Sequence, residues 1–277
     1  MKVLIITNMY PSKSNKHFGI FIKEQVEAMQ RIKPDWKFEI VFIEGFISKW
    51  NYIKSIYEIY KKLKLKRYDI IHAHYGLSAF IAGITNICFG YPLIVTLHGS
   101  DVYIWWQRYI SKMAVRLADA VILVSEKMRD RLRISSASII PTGVDVDLFK
   151  PYDIGYARGK LGLPFDAKII IFPADPKNKV KNYSLFHEAV NLLPKYLKDK
   201  TLTIHLVGIE RHLVPLYFSA ADVLVLTSKY EGHSAVVKEA VACNLPLISV
   251  DVGDVKSVID GINYCYIVDR DPKAIAD

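Results

Sequence analysis

Along the 277-residue chain, short unbroken apolar runs alternate with longer segments in which apolar residues recur every three or four positions. A parallel sheet covered on both faces by crossover helices produces that alternation. In the first half the runs fall at residues 3–7, 38–43, 70–73, 93–97, 120–124 and 138–140, which predicts six strands. Helical periodicity between them covers 19–31, 54–65, 77–89, 103–118 and 126–132. After Pro141, Thr142 and Gly143 the pattern restarts, with strands predicted at 168–172, 202–207, 223–226, 246–249 and 266–268. The intervening helices are expected at 183–193, 214–221, 234–243 and 255–260. The predicted class is α/β, with two Rossmann-like doubly wound domains at 1–150 and 151–277. Ligands of such sheets sit beyond the carboxyl ends of the strands, so two domains facing across a cleft would bind there.

Two features shorten the second domain. About six residues separate Gly208 from Pro215, too few for the further strand and helix that a complete sheet would insert. A helix is also expected to begin at Pro272, close to Asp277, so the second domain reads as abbreviated or C-terminally truncated. Residues 79–97 carry no charge over a length that could span a bilayer, yet Asn86, Gly90 and Pro92 divide them into a helix and a buried strand. The first residues break at Tyr10-Pro11, too early and wrongly flanked for a signal peptide.

Composition narrows the function classes. With 51% hydrophobic and 23% charged residues the chain is neither a disordered tail nor a disulfide scaffold. Cys88, Cys243 and Cys265 are odd in number and lack metal-ligand spacing, which fits a reducing cytoplasm. Thirty-seven Lys and Arg against 28 Asp and Glu give a net charge of +9, favouring anionic partners. No nucleic-acid reading motif accompanies that charge, and phosphorylated ligands or an anionic membrane face remain. The basic stretch 61–67, with Trp50, Tyr52, Tyr57 and Tyr60 upstream, fits either a membrane-surface contact or an ordinary amphipathic helix.

Candidate chemistry is densest at 228–246, which follows a strand and opens a helix. Ser234 is expected to cap that helix, and the N–H groups of Ser234, Ala235 and Val236 would then form an anion site. Glu231 precedes the helix and Glu239 lies inside it. Either acid alone could be a solvated surface residue. Together, flanking a phosphate-ready helix start, they suit a ligand with hydroxyl groups on both sides of a diphosphate. Lys177, Lys179 and Lys181, at alternate positions after the first strand of the second half, could meet the same diphosphate or simply form a solvated loop. His98 ends a buried strand of the first half. His72 and His74 end the strand before it, and one of the two is expected to face the cleft. Three histidines could ligate a metal, but no carboxylate spacing supports one.

Glu231 to Glu239 forms E-x7-E, followed by Ala-Cys-Asn-Leu-Pro and Asp251-Val-Gly-Asp-Val. With Asp69-Ile-Ile-His-Ala-His, Thr96-Leu-His-Gly-Ser-Asp, Ala118-Asp-Ala-Val-Ile-Leu-Val-Ser and Ile140-Pro-Thr-Gly-Val-Asp, the chain resembles the retaining GT-B glycosyltransferases of family 4 (GT4), closest in pattern to prokaryotic surface-polysaccharide enzymes. The resemblance implies that Glu239 binds the nucleotide ribose, that Glu231 lies by the transferred sugar, and that Gly232, His233, Ser234, Ala235 and Val236 hold the diphosphate. Lys181 matches the family's lysine, and Lys177 stands in for its arginine. His98 corresponds to the histidine that approaches the sugar, with Asp101 binding acceptor or orienting the loop. Phe18-Gly19-Ile20-Phe21 resembles the glycine loop, with the usual Gly-Gly reduced to Gly19. The missing G-x-G-x-x-G argues against NAD.

The implied activity is hexosyl transfer with retention, from a UDP- or GDP-linked sugar to a saccharide or lipid-linked saccharide. No metal or other cofactor is needed, and the enzyme would be cytoplasmic or peripheral at the inner membrane face. Lys13, Lys16 and nearby aromatics could touch a polyanionic or lipid-linked acceptor. A non-catalytic nucleotide-binding relative and a nucleotide-sugar epimerase are the alternatives of other classes.

Overall fold

The computed structural model describes residues 1–12, 18–232 and 234–277; Lys13, Lys16 and His233 lie outside them. The chain divides into two compact units, Met1–Gly143 and Val144–Asp277.

The first unit is a six-stranded parallel sheet of β1 (Lys2–Thr7), β2 (Lys37–Phe42), β3 (Ile70–His74), β4 (Leu93–Leu97), β5 (Ala120–Leu123) and β6 (Ala137–Ile139), in the order β2-β1-β3-β4-β5-β6. Its crossovers are α1 (Ile20–Ile32), α2 (Trp50–Leu65), α3 (Gly76–Asn86), the short α4 (Ser100–Tyr103), α5 (Trp105–Arg116) and α6 (Glu126–Leu132). Alternation along β1 assigns its residues to opposite cores. Val3 and Ile5 pack with Ile22 and Val26 of α1, while Leu4 and Ile6 join the larger core of Val41, Ile71, Val95 and Leu123. The buried residues of α2, Ser55, Ile59 and Leu63, recur every four positions and lay one stripe on the sheet.

The uncharged stretch 79–97 divides as its turn residues require. Asn86 Nδ2 donates to the Tyr91 carbonyl at 2.7 Å and its Oδ1 accepts the Tyr91 N–H at 3.1 Å, closing a turn around Gly90, which has φ 70°. Among the described residues no helix is long and apolar enough to cross a membrane.

The second unit has a five-stranded parallel sheet of β7 (Lys168–Phe172), β8 (Thr201–His205), β9 (Val223–Leu226), β10 (Leu247–Val250) and β11 (Cys265–Val268), in the order β11-β10-β9-β7-β8. Around it lie α7 (Ile154–Leu161), α8 (Tyr183–Leu192), α9 (Lys195–Lys198), α10 (Val214–Ala220), α11 (Ala235–Ala242), α12 (Val255–Ile259) and α13 (Pro272–Ala276). Phe149, Ile171, Phe186, Phe218, Leu224 and Val237 belong to its single core. The short passage after Gly208 holds only a 3-10 turn, Arg211–Leu213, before α10, so β8 stays at the sheet edge.

Each predicted run is a strand. The helices α4, α7 and α9 are additions that periodicity does not reveal. In α7 the buried residues are Ala157 and Arg158, which make no apolar stripe. Its ends were the available signal, because Asp153 accepts the Tyr156 N–H at 2.8 Å and Gly162 closes the helix with φ 64°.

Candidate active site

In both sheets the strand order reverses beside the first strand, between β1 and β3 in one unit and β7 and β9 in the other. The crevice beyond such a reversal is where doubly wound sheets bind ligands.

In the second unit Lys181 follows β7 and Glu231 follows β9, and the structure brings them together. Lys181 Nζ lies 2.6 Å from Glu231 Oε1, with 23% and 13% of the two side chains exposed. The loops carrying them are stitched to each other. Thr227 Oγ1 donates to the carbonyls of Lys181 and Asn182 at 3.0 and 3.1 Å, and the Lys229 N–H donates to the Val180 carbonyl at 2.8 Å. Arg270, just after β11, donates Nη1 to the Ser228 carbonyl at 2.8 Å. Gly253 passes so close that a Cβ there would stand 2.9 Å from the Glu231 carbonyl oxygen, at φ 58°. The pair is thus held by loops from four strand ends, the support that a preorganised charged site needs.

Glu239 is buried within α11 rather than solvated, and its Oε1 lies 2.8 Å from Arg211 Nη2. The Arg211 guanidinium in turn covers the Phe149 ring at 4.4 Å from the centroid. Lys177 and Lys179 are exposed on the preceding turn, where the Lys177 N–H donates to Asp175 Oδ1 at 2.8 Å. Gly232 lies in the bend after Glu231, and Ala235 and Val236 open α11. His233 lies outside the described residues.

The expected Ser234 side-chain cap is not formed. Ser234 Oγ is buried and has no hydrogen-bond partner among the described residues, and Ser234 precedes α11 with φ −93° and ψ 87°. Instead its main-chain N–H, one residue before the helix, donates to Asp254 Oδ1 at 3.2 Å, which sets a carboxylate from the loop after β10 beside the helix start. A charged carboxylate satisfies a helix N-terminus better than a hydroxyl does, because it also meets the helix dipole.

In the first unit the carboxyl ends of the strands carry uncharged rings. His72 and His74 lie two apart on β3, which puts them on one face rather than opposite faces; their ring centroids are 4.1 Å apart. This corrects the expectation that only one would face the site. His72 Nε2 meets Thr96 Oγ1 at 2.8 Å, and His74 Nδ1 meets His98 Nε2 at 3.1 Å. Burial lowers the His72 pKa to about 4 and, with its two histidine neighbours, holds His74 well below the ordinary range. These rings are therefore neutral at pH 7. Phe21 of α1 covers His98 at 4.9 Å.

Asp101 is fully buried and orients the His98 loop. Its Oδ1 accepts the N–H of Gly99 at 2.7 Å and that of His98 at 3.1 Å. Burial raises its pKa to about 6 even though those N–H groups favour the charged form. Gly19 opens α1 at φ 68°, and a Cβ there would stand 2.3 Å from the Met9 carbonyl carbon, so only glycine fits.

A cavity of about 460 Å³ opens in this unit, lined by Asn8, Phe46, Tyr52, Tyr75, Trp106 and Gln107 among others. Asn8 Nδ2 donates to the Tyr52 hydroxyl at 2.8 Å, while Asn8 Oδ1 is buried with no hydrogen-bond partner among the described residues. Tyr75 joins β3 to α3 with φ 77° and ψ 136°, a backbone region few non-glycine residues occupy. Its hydroxyl donates to Gln107 Oε1 and accepts from Ser100 Oγ at 3.2 Å. Among the described residues no group of three or more His, Cys, Asp or Glu side chains is arranged to hold a metal ion.

Sequence reasoning gave no role to Arg211, Arg270, Asp254, Asn8 or Tyr75. Cues existed for Asp254, within the quoted Asp251-Val-Gly-Asp-Val motif, for Asn8, which directly follows a predicted strand, and for Tyr75, two residues beyond one.

Comparison with known proteins agrees with this architecture. The chain is 28% identical to TuaC of Bacillus subtilis (strain 168), a protein named as a putative teichuronic acid biosynthesis glycosyltransferase, over all of this chain and 88% of that one. It is 27% identical to the D-inositol 3-phosphate glycosyltransferase of Xylanimonas cellulosilytica, over 76% of this chain but only 62% of that protein's length. Among solved structures, sucrose-phosphate synthase from Thermosynechococcus elongatus superposes with TM-score 0.81 at 18% identity, over 99% of this chain and 87% of that one. Anabaena HepE in complex with UDP-glucose superposes with TM-score 0.73 at 16% identity, over 100% and 88% of the two chains. At these identities the superpositions establish the GT-B fold. The profile of glycosyl transferases group 1 matches residues 193–277. That of Glycosyltransferase Family 4 matches residues 8–148, half of the sequence, and the chain belongs to that family.

Proposed function

We propose that the protein transfers a hexosyl group, with retention of configuration, from a UDP- or GDP-linked sugar to a saccharide or lipid-linked saccharide in polysaccharide or glycoconjugate biosynthesis. The observation that carries this reading is the Lys181–Glu231 pair beside the start of α11, with Glu239 buried inside the same helix. One ammonium, a helix N-terminus and two carboxylates match a diphosphate flanked by hydroxylated sugars. HepE, whose fold this chain shares, has been crystallised with UDP-glucose.

In this reading Lys181, with Lys177 and the N–H groups from Gly232 to Val236, stabilises charge gathering on the diphosphate as it departs. Glu239 accepts from the ribose, Glu231 and His98 position the transferred sugar, and a leaving-phosphate oxygen takes the acceptor proton on the same face. No protein base and no metal is then required. The acceptor belongs in the 460 Å³ cavity of the first unit, where aromatic rings can stack on a sugar and Asn8 Oδ1 meets no donor among the described residues. Trp50, Tyr57, Trp105 and Tyr109 are exposed on α2 and α5 among lysines and arginines, which suits contact with an anionic membrane surface.

A thermal-unfolding screen of UDP-, GDP- and ADP-sugars tests the donor. The correct one at 100 times its Kd should add about 2.7 kcal/mol of stability. Failure of all of them to raise Tm would refute the donor site. Transfer of sugar to an acceptor separates the proposal from a non-catalytic relative, and appearance of an isomerised sugar nucleotide without acceptor would favour an epimerase instead.

A further inference from the structure

Among the carboxylates around the start of α11, Asp254 has no part in the reading above. It stands in the loop after β10, where Oδ1 accepts the Ser234 N–H at 3.2 Å and Oδ2 lies 3.8 Å from Lys238 Nζ, one turn into α11. Its side chain is 9% exposed and that of Lys238 18%. A negative charge therefore already sits where the helix dipole and the first N–H groups of α11 attract one. Ser234 itself is buried, and its Oγ meets no partner among the described residues, so the seat holds a polar atom that Asp254 does not serve.

Among the described residues two ion pairs surround this seat. Lys181 pairs with Glu231, Lys238 pairs with Asp254, and Gly253 brings the Asp254 loop against Glu231. A diphosphate arriving at the same N–H groups meets Asp254 as a like charge at short range in a partly desolvated place, where repulsion is weakly screened.

Resting on the donor reading above, we infer that Asp254 is an internal competitor for the donor diphosphate and the residue that sets donor affinity. In the free protein it occupies the α11 N-terminus and neutralises Lys238. On donor binding it yields the Ser234 N–H and Lys238 to the phosphates.

Titration calorimetry with UDP, GDP and ADP on the full chain, alongside ligand-free melting, tests this. Asp254→Asn keeps size and backbone preference, since φ −101° and ψ 5° suit asparagine. It should bind the preferred nucleotide about ten-fold tighter, the worth of one charge-assisted hydrogen bond no longer contested, while its ligand-free Tm falls. Asp254→Gly should move both quantities the same way, and it covers the case in which the asparagine variant folds poorly. A purely structural Asp254 would lower affinity and Tm together. Unchanged or weaker binding by the Asp254 variants, with Lys181→Ala weakening UDP binding, would overturn the inference and leave the donor site standing. If no nucleotide binds, or Lys181→Ala binds as tightly as the native chain, the donor reading falls and Asp254's role falls with it.

Discussion

The two units solve the same placement problem with opposite chemistry. Beyond the strands of the first unit stand rings, His72, His74, His98, Tyr52 and Tyr75, hydrogen-bonded to one another or to hydroxyl and amide groups, with His72 and His74 held neutral by burial. Beyond those of the second stand ion pairs, Lys181 with Glu231 and Arg211 with Glu239. Uncharged donors and acceptors suit a ligand that is itself uncharged and rich in hydroxyls. Paired ions can be re-paired by a charged one, because an arriving phosphate substitutes for a carboxylate without leaving an ammonium alone. Under the proposed function the contrast fits saccharide to the first unit and diphosphate to the second.

The largest expected effects break that contrast directly. Glu231→Ala and Lys181→Ala should each slow transfer about 100-fold or more, as loss of a group stabilising developing charge does, and Lys181→Ala should also raise the Kd for UDP. His98→Ala should slow transfer while leaving the Kd for UDP unchanged. Initial rates and calorimetry on the three variants decide it, and a His98→Ala protein that loses nucleotide binding would abolish the division of labour.

Acid should then distinguish the units by stability. His72 and His74 bind protons more readily unfolded than folded, so their burial favours the native state above pH 6.5, and that advantage is lost as pH falls toward 4. For His72, shifted from 6.5 to about 4, the loss reaches about 3 kcal/mol. Asp101, raised from 3.8 to about 6, acts oppositely: it favours the native state below pH 4 and loses that contribution as pH rises through 6. Asp101→Asn should therefore steepen the acid destabilisation of the first unit, and His72→Asn should flatten it. All four tryptophans, Trp36, Trp50, Trp105 and Trp106, lie in the first unit, so denaturant unfolding followed by tryptophan fluorescence reads that unit alone.

Smaller effects sharpen the comparison. Gly19→Ala and Gly253→Ala each force alanine to a positive φ against nearby backbone, at a cost above about 1 kcal/mol. Only the second should also weaken UDP binding, through Glu231. The smallest effect concerns the surface of the first unit. Trp50→Ser with Trp105→Ser should reduce binding to phosphatidylserine-containing vesicles a few-fold without altering UDP affinity, since each exposed ring adds only part of the apolar contact. Unchanged sedimentation with vesicles would remove the membrane contact from the proposal.

The strands were legible because burial on both faces leaves continuous apolar runs, as in β1 and β4. Helices without an apolar stripe, such as α7 and α9, carried no periodic signal. Lys181 and Glu231 are 50 residues apart, and their motif context alone joined them. Arg270 and Asp254 reach the same place from the ends of β11 and β10, a proximity that sheet order creates and sequence spacing does not encode. His72 and His74 show that a two-residue spacing on a strand should be read as one face, and Ser234, expected to cap α11 with its side chain, instead donates its own N–H to a carboxylate 20 positions away.

The backbone of Tyr75 links fold to chemistry in one residue. At φ 77° and ψ 136° any side chain other than hydrogen is disfavoured, by about 1–3 kcal/mol. Glycine there would relax the chain and forfeit the phenol that faces Gln107 and Ser100. Selection for heat resistance would therefore favour glycine here, at the expense of a phenol in the cavity proposed to hold the acceptor.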